Sequence, residues 1–261
     1  FGCPYACKFC VASALNLYNR EIDNLEAEFD QIKAAGIKEI FFMDSTFNAI
    51  PKRLREICEL MLRKNYRFTW SCNIHPLNFS LEDFLLMKKA GCHTIQVGVE
   101  AGNNDSRMEF APTKKEENIK AVFELAHKAK LRTLGYFIIG FPKEGRDEVQ
   151  ETIDFAIYLN PFFAAFTTLM PDYGTKFHKE ARDGEMIESG LHSFDNSGTP
   201  LLDNMTLSKE ERQKLLKRAY RKFYFRPRQL WKYASDVRNF PLYFKNGSHL
   251  VKKFFFGTNA N

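Results

Sequence analysis

The sequence predicts an α/β fold: a partial barrel of parallel strands and helices, followed by a mostly helical extension at the C-terminus. Two observations support this prediction. Five short apolar runs alternate with helical segments over residues 20–169, and crossover helices of this kind join parallel strands. Polar or glycine-containing residues follow the ends of these runs, as expected where the carboxyl ends of barrel strands form an active site. A cysteine-rich loop precedes the first helix in the same way, so a strand ahead of residue 1 would complete a (β/α)6 unit.

The first elements follow from apolar periodicity. Residues 20–35 are predicted to form a helix because apolar side chains recur there every three or four positions. These side chains are Ile22, Leu25, Phe29 and Ile32. Residues 39–43 form a short apolar run that ends at Asp44, which is typical of a buried parallel strand. A helix at 52–64 and a strand at 67–73 repeat the pattern.

Capping residues mark the next two helices. Ser80, with Asp83 three residues further on, predicts a capping box that opens a helix ending near residue 91. Thr113 and Glu116 predict a second capping box, for a helix that runs to about residue 130.

Three further strands complete the predicted sheet, at residues 93–99, 134–139 and 162–169. A helix at 144–159 connects the last two strands. Its first residue, Glu144, is interpreted as a first-turn acid that the helix dipole favours. A short helix near 177–182 and a last one at 208–224, which Arg226-Pro227-Arg228 breaks, follow.

These elements divide the chain into a core barrel at 1–175, an irregular connection at 176–207 and a basic, aromatic extension at 208–261. The extension carries 14 Lys and Arg against 3 Asp and Glu, whereas the rest of the chain carries 24 against 29. Such a surface can pack on the barrel or on a missing domain, contact anionic lipid headgroups, or stack on nucleic acid. We expect nucleic acid least of the three.

The overall composition excludes several classes of protein. No run reaches the roughly 18–20 apolar residues of a membrane-spanning helix, and no signal peptide is visible. Clustered cysteines in a long chain without an export signal point to a reducing compartment, so we expect a cytoplasmic protein, with peripheral membrane contact through its tail. Because the chain begins with Phe1 beside the cysteine loop, we also expect that the N-terminus is truncated.

Three of the six cysteines lie within eight residues, as Cys3, Cys7 and Cys10. Thiolates spaced in this way can converge on one metal centre, and three of them would leave one iron of a cubane cluster without a protein ligand. The alternative is a zinc site, which needs a fourth ligand from another cysteine or a histidine. Cys58 lies on an apolar helix stripe and is predicted to belong to the core.

This spacing, with the aromatic Phe9 just before the third cysteine, resembles the signature of the radical S-adenosylmethionine (SAM) superfamily. The resemblance covers about residues 1–175 and implies a partial TIM-like (β/α)6 barrel whose first strand is missing from this chain. It also implies a [4Fe–4S] cluster on Cys3, Cys7 and Cys10, SAM bound at the open iron, and Phe9 near the adenine.

Later segments resemble further motifs of the family. Asp44 and Ser45 match the place of polar groups that bind the SAM amino group, although a turn cap is an equally good interpretation. Glu100 matches a glutamate that contacts the ribose hydroxyls, against the alternative of a solvated loop residue. Gly140 and Pro142 match a segment whose backbone lies against the adenine.

Residues 70–78 and 219–228 resemble the cobalamin-associated branch, with His75 where relatives often carry arginine. The branch implies cobalamin bound by a missing N-terminal domain. We also expect an electron donor such as flavodoxin or ferredoxin and a small-molecule substrate, and a hydrophobic substrate would fit the lipid-facing interpretation of the tail. The implied reaction is reductive cleavage of SAM to a 5′-deoxyadenosyl radical, followed by methyl transfer or cyclisation. The rival hypothesis is a non-catalytic metal-binding module whose basic tail docks on nucleic acid or a membrane.

Overall fold

A computed structural model describes residues 2–187, 202 and 206–236 of the chain. Its five strands form one parallel sheet in sequence order. The strands are β1 (Glu39–Phe42), β2 (Thr69–Ile74), β3 (Cys92–Glu100), β4 (Arg132–Ile139) and β5 (Phe163–Thr168). The α-helices within the described residues are α1 (Ile22–Ala34), α2 (Pro51–Arg63), α3 (Leu81–Lys89), α4 (Asn104–Phe110), α5 (Glu116–Lys128), α6 (Arg146–Leu159), α7 (Lys176–Asp183), α8 (Lys209–Tyr224) and α9 (Pro227–Ser235).

All five predicted strands are present, and the parallel α/β prediction is confirmed. The capping box of Ser80 and Asp83 is also confirmed at the start of α3. The capping box predicted for Thr113 is wrong, because α5 begins after Lys115 and carries no side-chain cap. Helix α4 was not predicted, whereas α9 lies in the extension that was predicted to be mostly helical, without bounds of its own.

The two faces of the sheet have different environments. Side chains on one face alternate into a buried core beneath the helices. They include Trp70, Cys72, Val97, Phe137 and Phe166. The intervening positions are half-buried and carry mainly small or polar residues, among them Ser71, Asn73, Gln96, Tyr136 and Thr167. This face of the sheet is therefore more polar and less buried than the face that packs beneath the helices.

The β1 edge of the sheet is open. Among the described residues, β1 pairs only with β2. Phe41 is 41% exposed and Met43 is 81% exposed at this edge. A cavity of about 500 Å³ lies beside them and is lined in part by Phe29 and Phe47. An open edge of this kind agrees with the predicted partial barrel.

The opposite edge, at β5, is closed by side chains of α8. The hydroxyl of Tyr220 accepts from the amide of Phe166 at 3.1 Å and donates to its carbonyl at 3.0 Å. One helical turn later, the hydroxyl of Tyr224 contacts the amide of Ala164 at 3.1 Å and its carbonyl at 2.8 Å. Two phenols thus replace the hydrogen bonds that a further strand would supply.

Helix α9 continues this closure along the same edge. Gln229 and Tyr233 both donate to the carbonyl of Phe162, each at 2.7 Å. The extension therefore packs on the barrel as far as residue 236, in line with one of the three interpretations of its basic sequence. The rest of the tail lies outside the described residues. No helix in the described part of the chain is long and apolar enough to cross a bilayer.

Candidate active site

The cysteine loop, residues 3–10, runs between α4 and α7 at the carboxyl ends of the strands. The amide of Lys8 donates to the carbonyl of Phe110 at 2.9 Å, and the carbonyl of Lys8 accepts from the amide of Phe177 at 2.9 Å. The ammonium of Lys8 also lies 3.3 Å from Glu109 and 3.4 Å from Glu180. The loop is thereby fixed between these two helices through its own backbone.

The three thiols of this loop are free of disulfides, with Cys7 buried and Cys3 and Cys10 half-buried. The hydroxyl of Ser13 donates to the carbonyls of Cys7 and Cys10, at 3.0 and 2.6 Å. Burial raises the pKa of the Cys7 thiol to about 12, and the nearby Lys114 ammonium opposes this rise. Metal binding would have to displace these thiol protons.

A stacked pair of rings attaches the loop to the end of β2. The rings of Tyr5 and His75 lie 3.5 Å apart at 16°, and Nδ2 of Asn78 donates to the Tyr5 hydroxyl at 3.1 Å. Nε2 of His75 lies 3.1 Å from the hydroxyl of Thr113. Burial, followed by the charge of Lys114, lowers the pKa of His75 to about 3. The imidazole is therefore neutral at physiological pH.

The segment after β1 also meets the loop, but through residues that sequence analysis did not select. Asp44 and Ser45 are exposed, whereas Thr46 is buried with its hydroxyl 3.4 Å from Sγ of Cys3. The buried Asn48 amide donates to the carbonyl of His75 at 2.9 Å and accepts from its amide at 2.8 Å. Since polar residues are common in turns, sequence offered no signal that separated Thr46 and Asn48 from their neighbours.

Glu100 ends β3 in a left-handed backbone conformation, with φ of 69°, beside a register shift in the β3–β4 pairing. Its carboxylate is buried and forms an ion pair with Lys114. The interpretation of Glu100 as a solvated loop residue is therefore wrong. Burial lowers the pKa of Lys114, but the Glu100 carboxylate and the Cys7 thiol outweigh burial, so the pKa lies above its ordinary value.

The turn after β4 approaches the loop from the other side. Gly140 has φ of 89°, and the ring of Phe141 lies 6.4 Å from that of Phe9. Oε2 of Glu144 accepts from the amides of Gly140 at 2.8 Å and Phe141 at 3.1 Å. Pro142 follows in the same turn and is half-buried.

Glu144 itself does not have the role that the sequence predicted. It lies before α6, whose first turn contains other acids, and it is only 1% exposed. Burial raises its pKa to about 7, although the two backbone amides oppose that rise. Glu144 therefore organises the Gly140 turn and is not a helix-dipole acid.

The other three cysteines lie in the hydrophobic core. Cys58, Cys72 and Cys92 are at most 1% exposed, on α2, β2 and β3. The core prediction for Cys58 is confirmed. Within the described residues, no three His, Cys, Asp or Glu side chains are grouped closely enough to hold a single metal ion. A cubane requires less convergence, because each thiolate binds a different iron.

An open parallel α/β barrel with a loop of three free cysteines and a buried acid at its carboxyl end defines a class of cofactor-dependent enzyme. The model of the radical SAM superfamily matches residues 1–156 of this chain. The chain belongs to the radical SAM superfamily.

Several curated relatives carry methyltransferase names. An uncharacterised methyltransferase of Pyrococcus horikoshii is 32% identical over 238 residues, covering 88% of this chain and 51% of the relative. The bacteriochlorophyllide d C-12(1)-methyltransferase of Chlorobaculum tepidum is 29% identical, covering 70% of this chain and 41% of the relative. The chain thus spans about half or less of the length of these relatives.

Solved structures show the same fold. The radical SAM methyltransferase TsrM of Kitasatospora setae, with cobalamin and a [4Fe–4S] cluster bound, superimposes with a TM-score of 0.63 at 22% identity over 82% of this chain and 45% of that chain. The cobalamin-dependent enzyme OxsB, with aqua-cobalamin and SAM bound, superimposes with a TM-score of 0.65 at 16% identity over 91% of this chain and 44% of that chain. The partial-barrel prediction of radical SAM type is confirmed.

Membership of the superfamily implies a [4Fe–4S] cluster and SAM, and the donors of this chain fit both groups. Cys3, Cys7 and Cys10 are free thiols on one clamped loop, and thiolates are the usual ligands of such clusters. The buried ammonium of Lys114 supplies positive charge next to the Cys7 thiol. Glu100 offers a buried carboxylate for hydroxyl donors.

Proposed function

We propose that this chain is the catalytic core of an enzyme that cleaves SAM reductively at a [4Fe–4S] cluster held by Cys3, Cys7 and Cys10. The observation that carries the proposal is the convergence of three motifs on one end of the sheet. The cysteine loop, the Glu100–Lys114 pair and the Gly140 turn all lie there. The motifs are far apart in sequence, so the fold alone brings them together.

Each motif would hold a different part of the cofactor. Asp44 and Ser45, exposed beside the loop, would receive the amino group of SAM. Glu100 would accept hydrogen bonds from the ribose hydroxyls. Phe9, Gly140 and Pro142 would contact the adenine, and the buried ring of Phe141 supports Phe9 from the core.

When bound, the reduced cluster would supply the electron that splits SAM into methionine and a 5′-deoxyadenosyl radical. The chain contributes position and exclusion of water. Burial of Cys7 and Glu100 keeps the charged end of the site away from solvent. The neutral His75 ring holds the loop through Tyr5 without adding charge.

We further propose that the radical serves cobalamin-dependent methyl transfer or cyclisation on a small-molecule substrate, with the cobalamin held by a domain other than this core. Relatives with methyltransferase names support this reaction class. So does the anaerobic magnesium-protoporphyrin IX monomethyl ester cyclase of Cereibacter sphaeroides, which is 24% identical over 237 residues. A flavodoxin or ferredoxin would deliver the electron.

The test is anaerobic reconstitution with iron and sulfide, followed by reduction in the presence of SAM and detection of 5′-deoxyadenosine by mass spectrometry. Cys7→Ala should abolish the cluster and the product, because Cys7 is one of only three proposed ligands. The matched control is Cys58→Ala, which removes another buried thiol, this one from the hydrophobic core. Equal loss of the cluster in both variants would contradict the ligand assignment, and a single bound zinc in place of iron would contradict the function.

A peripheral membrane contact is also proposed, at the junction of α8 and α9. Phe225, Leu230 and Trp231 are 52%, 52% and 75% exposed there, beside the exposed Arg228. Apolar side chains flanked by basic ones are typical of surfaces that bind anionic lipid. The chain should sediment with vesicles that contain phosphatidylglycerol, and Trp231→Ala should reduce the fraction retained in the vesicle pellet. Equal retention of the two proteins would contradict this contact.

A further inference from the structure

The ion pair between Glu100 and Lys114 is unusual in its burial. Each side chain is only 9% exposed. Removing two charges from water carries a large desolvation penalty, so a buried ion pair is weak evidence for a purely stabilising role. The pair also lies where a ligand is expected, at the carboxyl end of β3.

A third residue, Arg107, brings the two charged residues together. Its side chain is fully buried, and its Nη1 donates to the carbonyls of Ala101 at 2.7 Å and Gly102 at 2.9 Å. Its Nε donates to the carbonyl of Lys114 at 3.0 Å. One guanidinium therefore fixes the backbone that follows Glu100 and the backbone of Lys114 at the same time.

Gly98 provides the space that the pair occupies. A Cβ at this position would overlap both Oε1 of Glu100 and Nζ of Lys114. Glu100 itself adopts a backbone conformation that residues with a side chain rarely use. Strain of this kind is typical of functional sites. Three local features thus favour one orientation of one carboxylate.

We propose that Lys114 is a positioning residue for nucleoside binding: its ammonium fixes the Glu100 carboxylate in the orientation that accepts the ribose hydroxyls of SAM. The inference rests on the proposed function. A carboxylate has about four acceptor sites, so one Lys114 contact leaves enough for two hydroxyls. A glutamate that is already ordered loses less side-chain entropy when the ligand binds.

The experiment measures the SAM dissociation constant of the cluster-loaded protein by calorimetry. Lys114→Met should weaken SAM binding about tenfold, the scale of the side-chain ordering that the ammonium provides. Lys114→Arg should restore most of the affinity, because it retains a cation. In a Glu100→Gln background, Lys114→Met should weaken SAM binding by less than about a further twofold, because its effect depends on Glu100.

Two results would overturn the inference. Unchanged affinity in Lys114→Met would show that Glu100 needs no partner. Full additivity with Glu100→Gln would show that Lys114 acts independently of that carboxylate. If Lys114→Met does not fold, Gly98→Ala tests the same point, because its Cβ displaces the pair while both charges remain.

The outcome is distinguishable from failure of the proposed function. Absorbance of the cluster and the thermal unfolding midpoint report whether each variant is loaded and folded. Wild-type protein that loads a cluster but binds no SAM would contradict the proposed function itself. Wild-type protein that binds SAM, with a Lys114→Met variant that binds equally well, would contradict only the role of Lys114.

Discussion

Glu144 is a buried acid, and the folded protein favours its protonated form. Its folded pKa of about 7 lies above the ordinary value, because burial disfavours the charged form. Its contribution to stability is therefore complete below about pH 4.5 and is lost as pH rises through 7. We expect the free energy of unfolding, relative to Glu144→Gln, to fall by up to about 3 kcal/mol between pH 5 and 8.

Urea unfolding of both proteins at several pH values measures this difference. The amide oxygen of the glutamine can still accept from Gly140 and Phe141, so the turn is retained. Glu124→Gln, an exposed substitution of the same type, serves as the control and should follow the wild type. Parallel pH profiles for wild type and Glu144→Gln would contradict the prediction.

Asn48 holds the backbone of His75, whose ring stacks on that of Tyr5. Its amide makes three hydrogen bonds, to the amide and carbonyl of His75 and, at 2.6 Å, to the carbonyl of Leu77. Asn48→Ala leaves three backbone groups without these partners, so we expect the free energy of unfolding to drop by about 2–4 kcal/mol. Asn24→Ala, at an exposed site on α1, should change it by less than about 0.5 kcal/mol. A similar effect of the two substitutions in chemical denaturation would refute this role.

Some residues of the candidate site could be predicted from the sequence, and others could not. Cysteine spacing has few alternative explanations, so Cys3, Cys7 and Cys10 could be selected directly. Lys114 and Arg107 could not be selected, because a lysine in Lys114-Lys115 and an arginine in a polar helix are usually solvated. Only the contact between two distant segments reveals that both are buried.

At the scale of elements, the contact between α8 and β5 depends on two tyrosines. Tyr220 and Tyr224 each satisfy an amide and a carbonyl on β5. Tyr220→Phe combined with Tyr224→Phe should lower the free energy of unfolding by about 2–4 kcal/mol, because four backbone groups lose partners. Tyr158→Phe, at a residue 62% exposed, is the matched control and should change it little. Denaturant titration compares them, and equal effects would contradict the closure of this edge.

Element prediction succeeded where one signal dominated. Each strand is an apolar run between polar residues, and each long helix has an apolar stripe, so their order and direction follow from sequence. The seven-residue α4 is too short and polar to show periodicity. Helix α9 begins at Pro227, which was predicted only to break the preceding helix, although proline is favoured in the first turn of a helix. The hydroxyl contacts of α8 require tertiary structure and could not be foreseen.

At the scale of the whole molecule, the two edges of the sheet differ. The β5 edge is closed, whereas the β1 edge exposes Phe41, the following Met43 and unpaired backbone groups within the described part of the chain. Open edges pair with other chains. We expect concentration-dependent self-association in analytical ultracentrifugation, reduced by Phe41→Lys. Leu85→Lys, which changes a residue 48% exposed on α3, is the control. Equal association of these two variants would contradict a role of the edge.

The backbone clamp on Lys8 links parts of the molecule that are distant in the chain. The amide of Lys8 is hydrogen-bonded to α4, and the amide of Phe177, on α7, is hydrogen-bonded to the carbonyl of Lys8. The Lys8 amide can therefore exchange with solvent only when the loop leaves α4, and the Phe177 amide only when the loop leaves α7. Deuterium uptake at these two amides therefore reports on the loop without a spectroscopic probe. Both amides should become protected together, by the same factor, when the thiols are occupied. The loop, α4 and α7 would then open as one cooperative unit, and the lifetime of that unit would set how fast the cysteines become accessible to metal or oxidant.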